Sequence, residues 1–118
     1  MEHYSLGKIE RRFADLVWEL EPIASGELVK VCAKEFDWKK PTTYTVLRKM
    51  IGKGLFVNED SLVKAVISKE EFLACQSEEY VEEIFGGSLP GFLAAFTTKK
   101  NLSKDEIQEI QKIIDKYK

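Results

Sequence analysis

The stretch from Trp38 to Leu55 constrains the fold of this 118-residue chain more than any other. Pro41 stands where a helix tolerates proline, in the first turn, whose N–H groups have no partner inside the helix. Gly54 stands where a helix ends, at the left-handed position after the last turn. Between them the spacing predicts a helix over 41–53 with two unlike sides. Thr43, Val46, Leu47 and Met50 share one side, which fits a core. Pro41, Thr45, Arg48 and Gly52 share the other, flanked by Thr42, Tyr44 and Lys49. Lys39, Lys40, Arg48, Lys49 and Lys53 against Asp37 alone give residues 37–53 a net charge of +4, in a chain whose total is −2. A helix of this kind suits nucleic-acid recognition, but it also describes an ordinary solvated surface helix. The neighbouring segments decide between the two.

Ahead of this helix, Ile9, Phe13, Leu16, Val17 and Leu20, with Trp18 beside them, form a helical stripe over 6–20. Glu21-Pro22 ends it, because proline disfavours helical geometry in the residue before it. Ser25 is the expected N-cap of a second helix whose stripe is Leu28, Val31, Cys32 and Phe36. Asp37 to Lys40 make a short turn into the cationic helix, the arrangement of a helix-turn-helix. After Gly54 the period changes. Leu55-Phe56-Val57 and Leu62 to Ile67 are β-rich runs joined by the turn formers Asn58-Glu59-Asp60-Ser61. Residues 1–67 therefore predict a winged helix-turn-helix, three helices plus a small β-hairpin wing, in a mainly α protein. The wing tip is short and acidic, so little affinity for a phosphate backbone is expected from it.

Residues 68–118 read as helices. Ser68 with Glu71 is a capping box opening a helix that carries Phe72, Cys75, Tyr80, Val81, Ile84 and Phe85 and stops at Gly86-Gly87. A shorter helix over 89–98 sets Leu89, Phe92, Leu93 and Phe96 on one side, with Pro90 in its first turn. Ser103 with Glu106 is a second capping box, and Leu102, Ile107, Ile110, Ile113, Ile114 and Tyr117 form a wide stripe behind it. Charge splits at the same place. Residues 1–67 hold 11 Lys/Arg and 10 Asp/Glu, whereas residues 68–118 hold 7 and 10. A unit of about fifty residues without metal or disulfide rarely buries its own stripes. A helical dimerisation region is the expected solution, with Phe85, Leu89, Phe92, Phe96, Ile107, Ile110 and Ile114 at the dimer contact. A homodimer would present two recognition helices to successive major-groove faces of a pseudo-palindromic site.

The bulk composition excludes several other classes. Apolar content of 44% with 32% charged residues describes a globular chain, not a disordered one. No apolar run approaches the roughly 20 residues that span a bilayer, and residues 1–5 lack the features of a signal peptide, so a cytoplasmic location is expected. Cys32 and Cys75 are isolated thiols within helical patterns and read as reduced core residues. With no CxxC and His3 as the single histidine, neither a metal site nor a cofactor is expected. The Glu78-Glu79 and Glu82-Glu83 pairs share a helix face but lack the nucleophile and oxyanion donors of a catalytic site. They read as a solvated face, and the chain does not read as an enzyme.

With these segments in place, the chain resembles the penicillinase repressor family (BlaI/MecI/CopY type). The resemblance is carried by Val17-Trp18-Glu19-Leu20, by Trp38 with Thr42-x-x-Thr45 and Lys53-Gly54-Leu55, and by Ile67-Ser68-Lys69-Glu70-Glu71-Phe72. It continues through Phe85-Gly86-Gly87-Ser88, Ala94-Ala95-Phe96 and Leu102-Ser103-x-x-Glu106-Ile107. It implies a homodimeric transcriptional repressor of β-lactam resistance genes, with an N-terminal winged helix and C-terminal dimer helices. It also implies relief of repression by proteolysis in response to a membrane sensor metalloprotease, the family's scissile bond before a Phe falling on Ala95–Phe96. Two departures stand out: the wing tip lacks the family's usual length and basic charge, and Tyr44 occupies a position where a basic or polar residue is common. The copper-responsive branch carries a C-terminal Cys-x-Cys that Asp115-Lys116-Tyr117-Lys118 does not match, which argues against copper sensing.

Within this reading, the double-stranded operator DNA is met by Lys39, Lys40, Thr42, Tyr44, Thr45, Arg48, Lys49 and Lys53. Arg48 is suited to pair bidentately with a guanine edge, and the threonine methyls to pack on thymine methyls. The lysines are suited to phosphates, which position without specifying. Trp18 and Trp38 read as packing residues, not stacking platforms for bases. The alternative is a winged-helix protein–protein module that uses the same helix against an acidic partner and binds no DNA directly.

Overall fold

The computed structural model describes residues 4–118, and His3 lies outside the described residues. The chain divides into two compact units, Met1–Ser77 and Glu78–Lys118.

In the first unit, α1 spans Lys8–Leu20. It opens at Gly7, whose N–H donates to Glu10 Oε1 at 3.0 Å, and closes at Glu21, already extended because Pro22 follows. A two-residue strand β1, Ile23–Ala24, leads into α2, Ser25–Phe36. Asp37 adopts left-handed geometry (φ 57°) and turns the chain toward α3, Lys40–Gly52, which carries Pro41 in its first turn. Gly54, at φ +87°, makes the turn out of α3 that a side chain would strain. The chain then forms β2, Phe56–Glu59, and β3, Leu62–Ala65. Asp60 and Ser61 at the tip both have positive φ (51° and 63°), the pairing whose twist matches that of the flanking strands.

The sheet is antiparallel with order β1-β3-β2. Its register pairs Phe56 with Ala65 through Glu59 with Leu62 on one side of β3, and Ile23 with Val63 and Ala24 with Leu62 on the other. The expected two-stranded wing therefore has a third strand. β1 is too short to show any periodicity, and it owes its strand geometry to the ladder it forms with β3. The same junction corrects the role expected of Ser25. Ser25 is the first residue of α2, and the cap position belongs to Ala24, which makes no side-chain cap bond. The Ser25 N–H continues the ladder by donating to Ser61 O at 2.8 Å.

The core is built from Phe13, Ala14 and Val17 of α1, Leu28 and Cys32 of α2, Leu47 and Met50 of α3, Leu55, Phe56 and Val63 around the sheet, and Tyr4 and Phe72. Trp18 packs against Phe56 and Phe72, with ring centroids 5.6 and 5.2 Å away, and its indole N–H donates to Ile67 O at 3.1 Å. Trp38 packs on Phe36 at 4.8 Å and on Phe13 at 5.9 Å. Both tryptophans are packing residues. Cys32 is buried and Cys75 half-buried, and both are free thiols.

The next helix, α4, spans Lys69–Phe85, with Ser68 Oγ accepting from the Glu71 N–H at 3.0 Å. Its first turns belong to the first unit, because Phe72 is buried in the core and Gln76 Nε2 donates to Tyr4 O. Burying a phenylalanine stabilises by about 1.5–3 kcal/mol. This is why the first unit extends to Ser77, past the 67/68 boundary at which strand gives way to helix in the sequence.

The second unit holds the remainder of α4, then α5, Leu89–Lys99, and α6, Lys104–Asp115. Gly86 and Gly87 stop α4 with φ of +58° and +84°, and a Cβ on Gly87 would come within 2.9 Å of Glu82 Oε2. Ser88 caps α5 by accepting from Gly91 N–H at 2.9 Å. Ser103 and Glu106 cap α6 reciprocally, at 2.9 and 3.1 Å. Glu78, Glu82 and Glu83 are exposed and Glu79 is half-buried. No helix among the described residues is long and apolar enough to cross a membrane.

Candidate nucleic-acid interface

Helix α3 keeps one side for the core and turns the other outward. Thr43, Leu47 and Met50 are buried, while Val46 and Ile51 pack half-buried against the same core. Lys39, Lys40, Thr42, Thr45, Arg48 and Lys49 are exposed. Four of these six carry positive charge. Among the described residues, no ion pair ties Lys39, Lys40, Arg48 or Lys49 to a carboxylate, whereas the exposed Lys30 pairs with Glu27 at 3.3 Å and the exposed Lys118 with Asp115 at 3.1 Å. Thr45 Oγ1 donates back to Pro41 O at 2.9 Å. That bond occupies the hydroxyl within the helix.

Two residues that the sequence reading placed in this set are engaged elsewhere. Lys53 is half-buried, and its ammonium donates to Ser5 O at 2.6 Å and to Glu10 Oε1 at 2.9 Å. It ties α3 to the start of α1 and does not join the outward cationic group. The Gly7 N–H, followed by Lys53, holds the Glu10 carboxyl below its ordinary value near 4.5. Tyr44 is half-buried, and its hydroxyl donates to Ser25 Oγ at 3.2 Å, so the phenol faces α2. The amphipathic pattern put Tyr44 on the boundary between faces, and the partner that decides its direction lies 19 residues earlier.

Sequence reasoning missed the supports of the face. Glu21, which follows α1, accepts from the Ala65 N–H through Oε1 at 2.8 Å and so anchors the wing strand β3. Ser25 is buried, bonded to the wing through its backbone and to α3 through its side chain. Neither role has a local sequence signal, because each partner is brought near only by the tertiary fold. The wing tip itself presents Glu59 and Asp60 to solvent.

In the second unit, the apolar residues expected at a dimer contact are accessible. Leu89, Phe96, Ile107 and Ile114 are 57%, 43%, 51% and 46% exposed, and Phe85, Phe92 and Ile110 are half-buried. No residue of α5 or α6 is buried. The rings of Tyr80, Phe85, Phe92 and Phe96 run together, with Phe85 and Phe92 edge-to-face at 5.6 Å and Phe92 and Phe96 at 6.1 Å. Ala95 and Phe96 lie exposed within α5.

The chain is similar to known proteins along nearly all of its length. The family description "Penicillinase repressor" matches residues 6–116. A relative in Staphylococcus aureus named methicillin resistance regulatory protein MecI is 20% identical, over 96% of this chain and 95% of its own. The penicillinase repressor of Bacillus licheniformis is 22% identical, over 87% of this chain and 84% of its own. A methicillin resistance regulatory protein MecI of Mammaliicoccus sciuri is 20% identical, over 96% and 95%. Matched over so much of its length, and built as a winged helix with further helices after it, the chain belongs to the penicillinase repressor family, whose members are transcriptional regulators and not enzymes.

Proposed function

We propose that this chain is a homodimeric, sequence-specific DNA-binding repressor in which the outward face of α3 enters the major groove. The observation that carries the reading is the sorting of side chains on α3. Thr43, Leu47 and Met50 are inside, and Lys39, Lys40, Thr42, Thr45, Arg48 and Lys49 are outside, their cations in no ion pair among the described residues. A guanidinium on such a face matches a guanine edge bidentately, and the lysines match phosphates. The names of the relatives, a penicillinase repressor and methicillin resistance regulators, support β-lactam resistance genes as the target. The apolar surface of α5 and α6 supports a second copy of this chain as the partner, through Leu89, Phe92, Phe96, Ile107, Ile110 and Ile114.

Repression on this reading ends when a protease, supplied by a membrane sensor, cuts Ala95–Phe96. The bond lies within α5, where Ala95 O accepts from Thr98 Oγ1 at 2.7 Å and Phe96 O from the Lys100 N–H at 3.1 Å. Cleavage therefore requires the C-terminal half of α5 to unwind first. Separating α6 from the rest would remove its dimer contacts, and losing a linked second site costs on the order of 10²–10⁴ in affinity.

The test is a salt titration of the full-length chain on a duplex enriched from a randomised pool. Three outward lysines per copy, Lys39, Lys40 and Lys49, give six phosphate contacts per dimer, Arg48 being assigned to a base edge. At about −0.9 per phosphate neutralised, log K against log salt should fall with a slope of roughly −5 for the dimer. A slope near half that value would mean that single copies bind. Absence of binding to any duplex at low salt would leave α3 as a surface for an acidic protein and end the repressor reading.

A further inference from the structure

The hydroxyl of Tyr44 links the recognition helix to the wing indirectly, through Ser25. It donates to Ser25 Oγ at 3.2 Å, and the N–H of the same serine donates to Ser61 O at 2.8 Å, at the hairpin tip. Ser25 is 6% exposed and directly follows β1, whose two residues pair with Val63 and Leu62 of β3. One buried serine thus joins three elements: α2, which it begins, the wing, through its backbone, and α3, through its side chain. Tyr44 lies one residue before Thr45 and four before Arg48, on the flank of the outward face.

We infer that Tyr44 is a positioning residue. Through Ser25 it fixes the angle between α3 and the wing, and so sets how Thr45 and Arg48 meet base edges, while touching no base itself. This rests on the DNA-binding reading above. The physical argument is that α3 packs on the core through short apolar contacts, which resist separation more than rotation about the helix axis. A polar bond on the flank opposes that rotation, and rotation would swing Arg48 and Thr45 together. Specific contacts are steeply sensitive to such a change, whereas contacts between flexible lysines and phosphates are not.

The experiment is a double-mutant cycle in the full chain: Tyr44→Phe, Ser25→Ala and both together. Each is measured against a duplex enriched from a randomised pool by the wild-type chain and against a scrambled duplex of the same composition. Each single variant should lose about two- to tenfold in specific affinity, the range of a neutral hydrogen bond. The double variant should lose no more than the larger single effect, and affinity for the scrambled duplex and the salt slope should stay unchanged. The Ser25 amide should exchange with solvent faster in Tyr44→Phe. Additive losses, or an effect of Tyr44→Phe with Ser25→Ala silent, would overturn the positioning role and put the phenol on a base. If the wild-type chain enriches no duplex, the DNA reading itself falls, and this role with it. If the wild type binds with specificity but the cycle shows no coupling, the positioning role alone is overturned.

Discussion

Thr43 offers the sharpest test of how α3 is seated. Its side chain is 1% exposed, on the inward side of the helix one turn from Leu47, and its hydroxyl has no hydrogen-bond partner among the described residues. The polar group beside it is the Cys32 thiol. Burial pushes that thiol up, and the hydroxyl acts in the opposite direction, yet no bond of normal geometry links the two. The thiol is at best a weak acceptor. Thr43→Val replaces the hydroxyl with a methyl of nearly the same shape, so it opens no cavity and keeps a β-branched rotamer. Helix propensity barely changes. What remains is the cost of an unpaired buried hydroxyl, about 1–3 kcal/mol, of which at least about 1 kcal/mol should return as stability. For a unit of this size that corresponds to a rise in Tm of roughly 4–8 °C per kcal/mol. The assay is urea unfolding with a thermal melt at one protein concentration, since association makes Tm concentration-dependent. The urea midpoint should rise with the m-value unchanged. Thr42→Val, one position away and exposed, should stay within about 0.5 kcal/mol of wild type. A midpoint that falls in Thr43→Val would mean the hydroxyl is bonded after all, and the inward packing of α3 would have to be redrawn.

Other outcomes are expected from the same geometry. Arg48→Ala should weaken specific binding by roughly 1–3 kcal/mol and relax preference at one base position; an unchanged base profile in a selection experiment would move Arg48 to a phosphate. Glu10, held below its ordinary carboxyl value, contributes stability that is complete above that value and vanishes as pH falls through its lowered native one. Glu10→Gln should therefore flatten the acid limb of a stability–pH curve, and an unchanged limb would place the acid sensitivity elsewhere. Asp60→Asn with Ser61→Gly should stabilise the hairpin by about 0.4–1 kcal/mol, because both positions need positive φ; a lower urea midpoint would contradict the tip geometry. Ala94→Gly should loosen α5 by about 1 kcal/mol and speed cleavage at Ala95–Phe96 roughly fivefold, provided that cleavage follows the population of the unwound helix. Equal rates would mean that the bond is cut without unwinding.

The helices were legible in the sequence because their signals are local. Pro41 and Gly54 bracket α3, Ser103 and Glu106 announce α6, and the apolar spacing on each helix names its buried side. The hairpin was legible from its turn formers, although Asp60 and Ser61 reach positive φ without glycine. What stayed hidden depends on residues distant in sequence. Lys53 looks like its neighbours Arg48 and Lys49 until the fold sets Glu10 within 2.9 Å of it. Tyr44 looks like a face residue until Ser25 takes its hydroxyl. β1 exists only because β3 offers a ladder to Ile23 and Ala24. Lys53 and Tyr44 have this in common: each is a polar group on the border between buried and exposed sides, where a pattern of apolar residues carries no information about direction.

The contrast between the two units bears on how a proteolytic switch would work. The first unit contains every buried residue of the core, from Tyr4 to Phe72, whereas α5 and α6 bury none of their own. A winged helix so closed should stay folded without the residues after Ser77, and a cut in α5 should leave the recognition face chemically intact. If repression were lost because the DNA-binding unit unfolded, a fragment ending at Ala95 would melt as a disordered chain. If it were lost because the pair separates, the same fragment should keep its cooperative melt, sediment as a monomer, and bind DNA with a salt slope near half that of the intact dimer. The distribution of buried residues favours the second outcome. A fragment that still sedimented as a dimer would remove the basis for the switch, because cleavage would then change nothing that holds two recognition helices together.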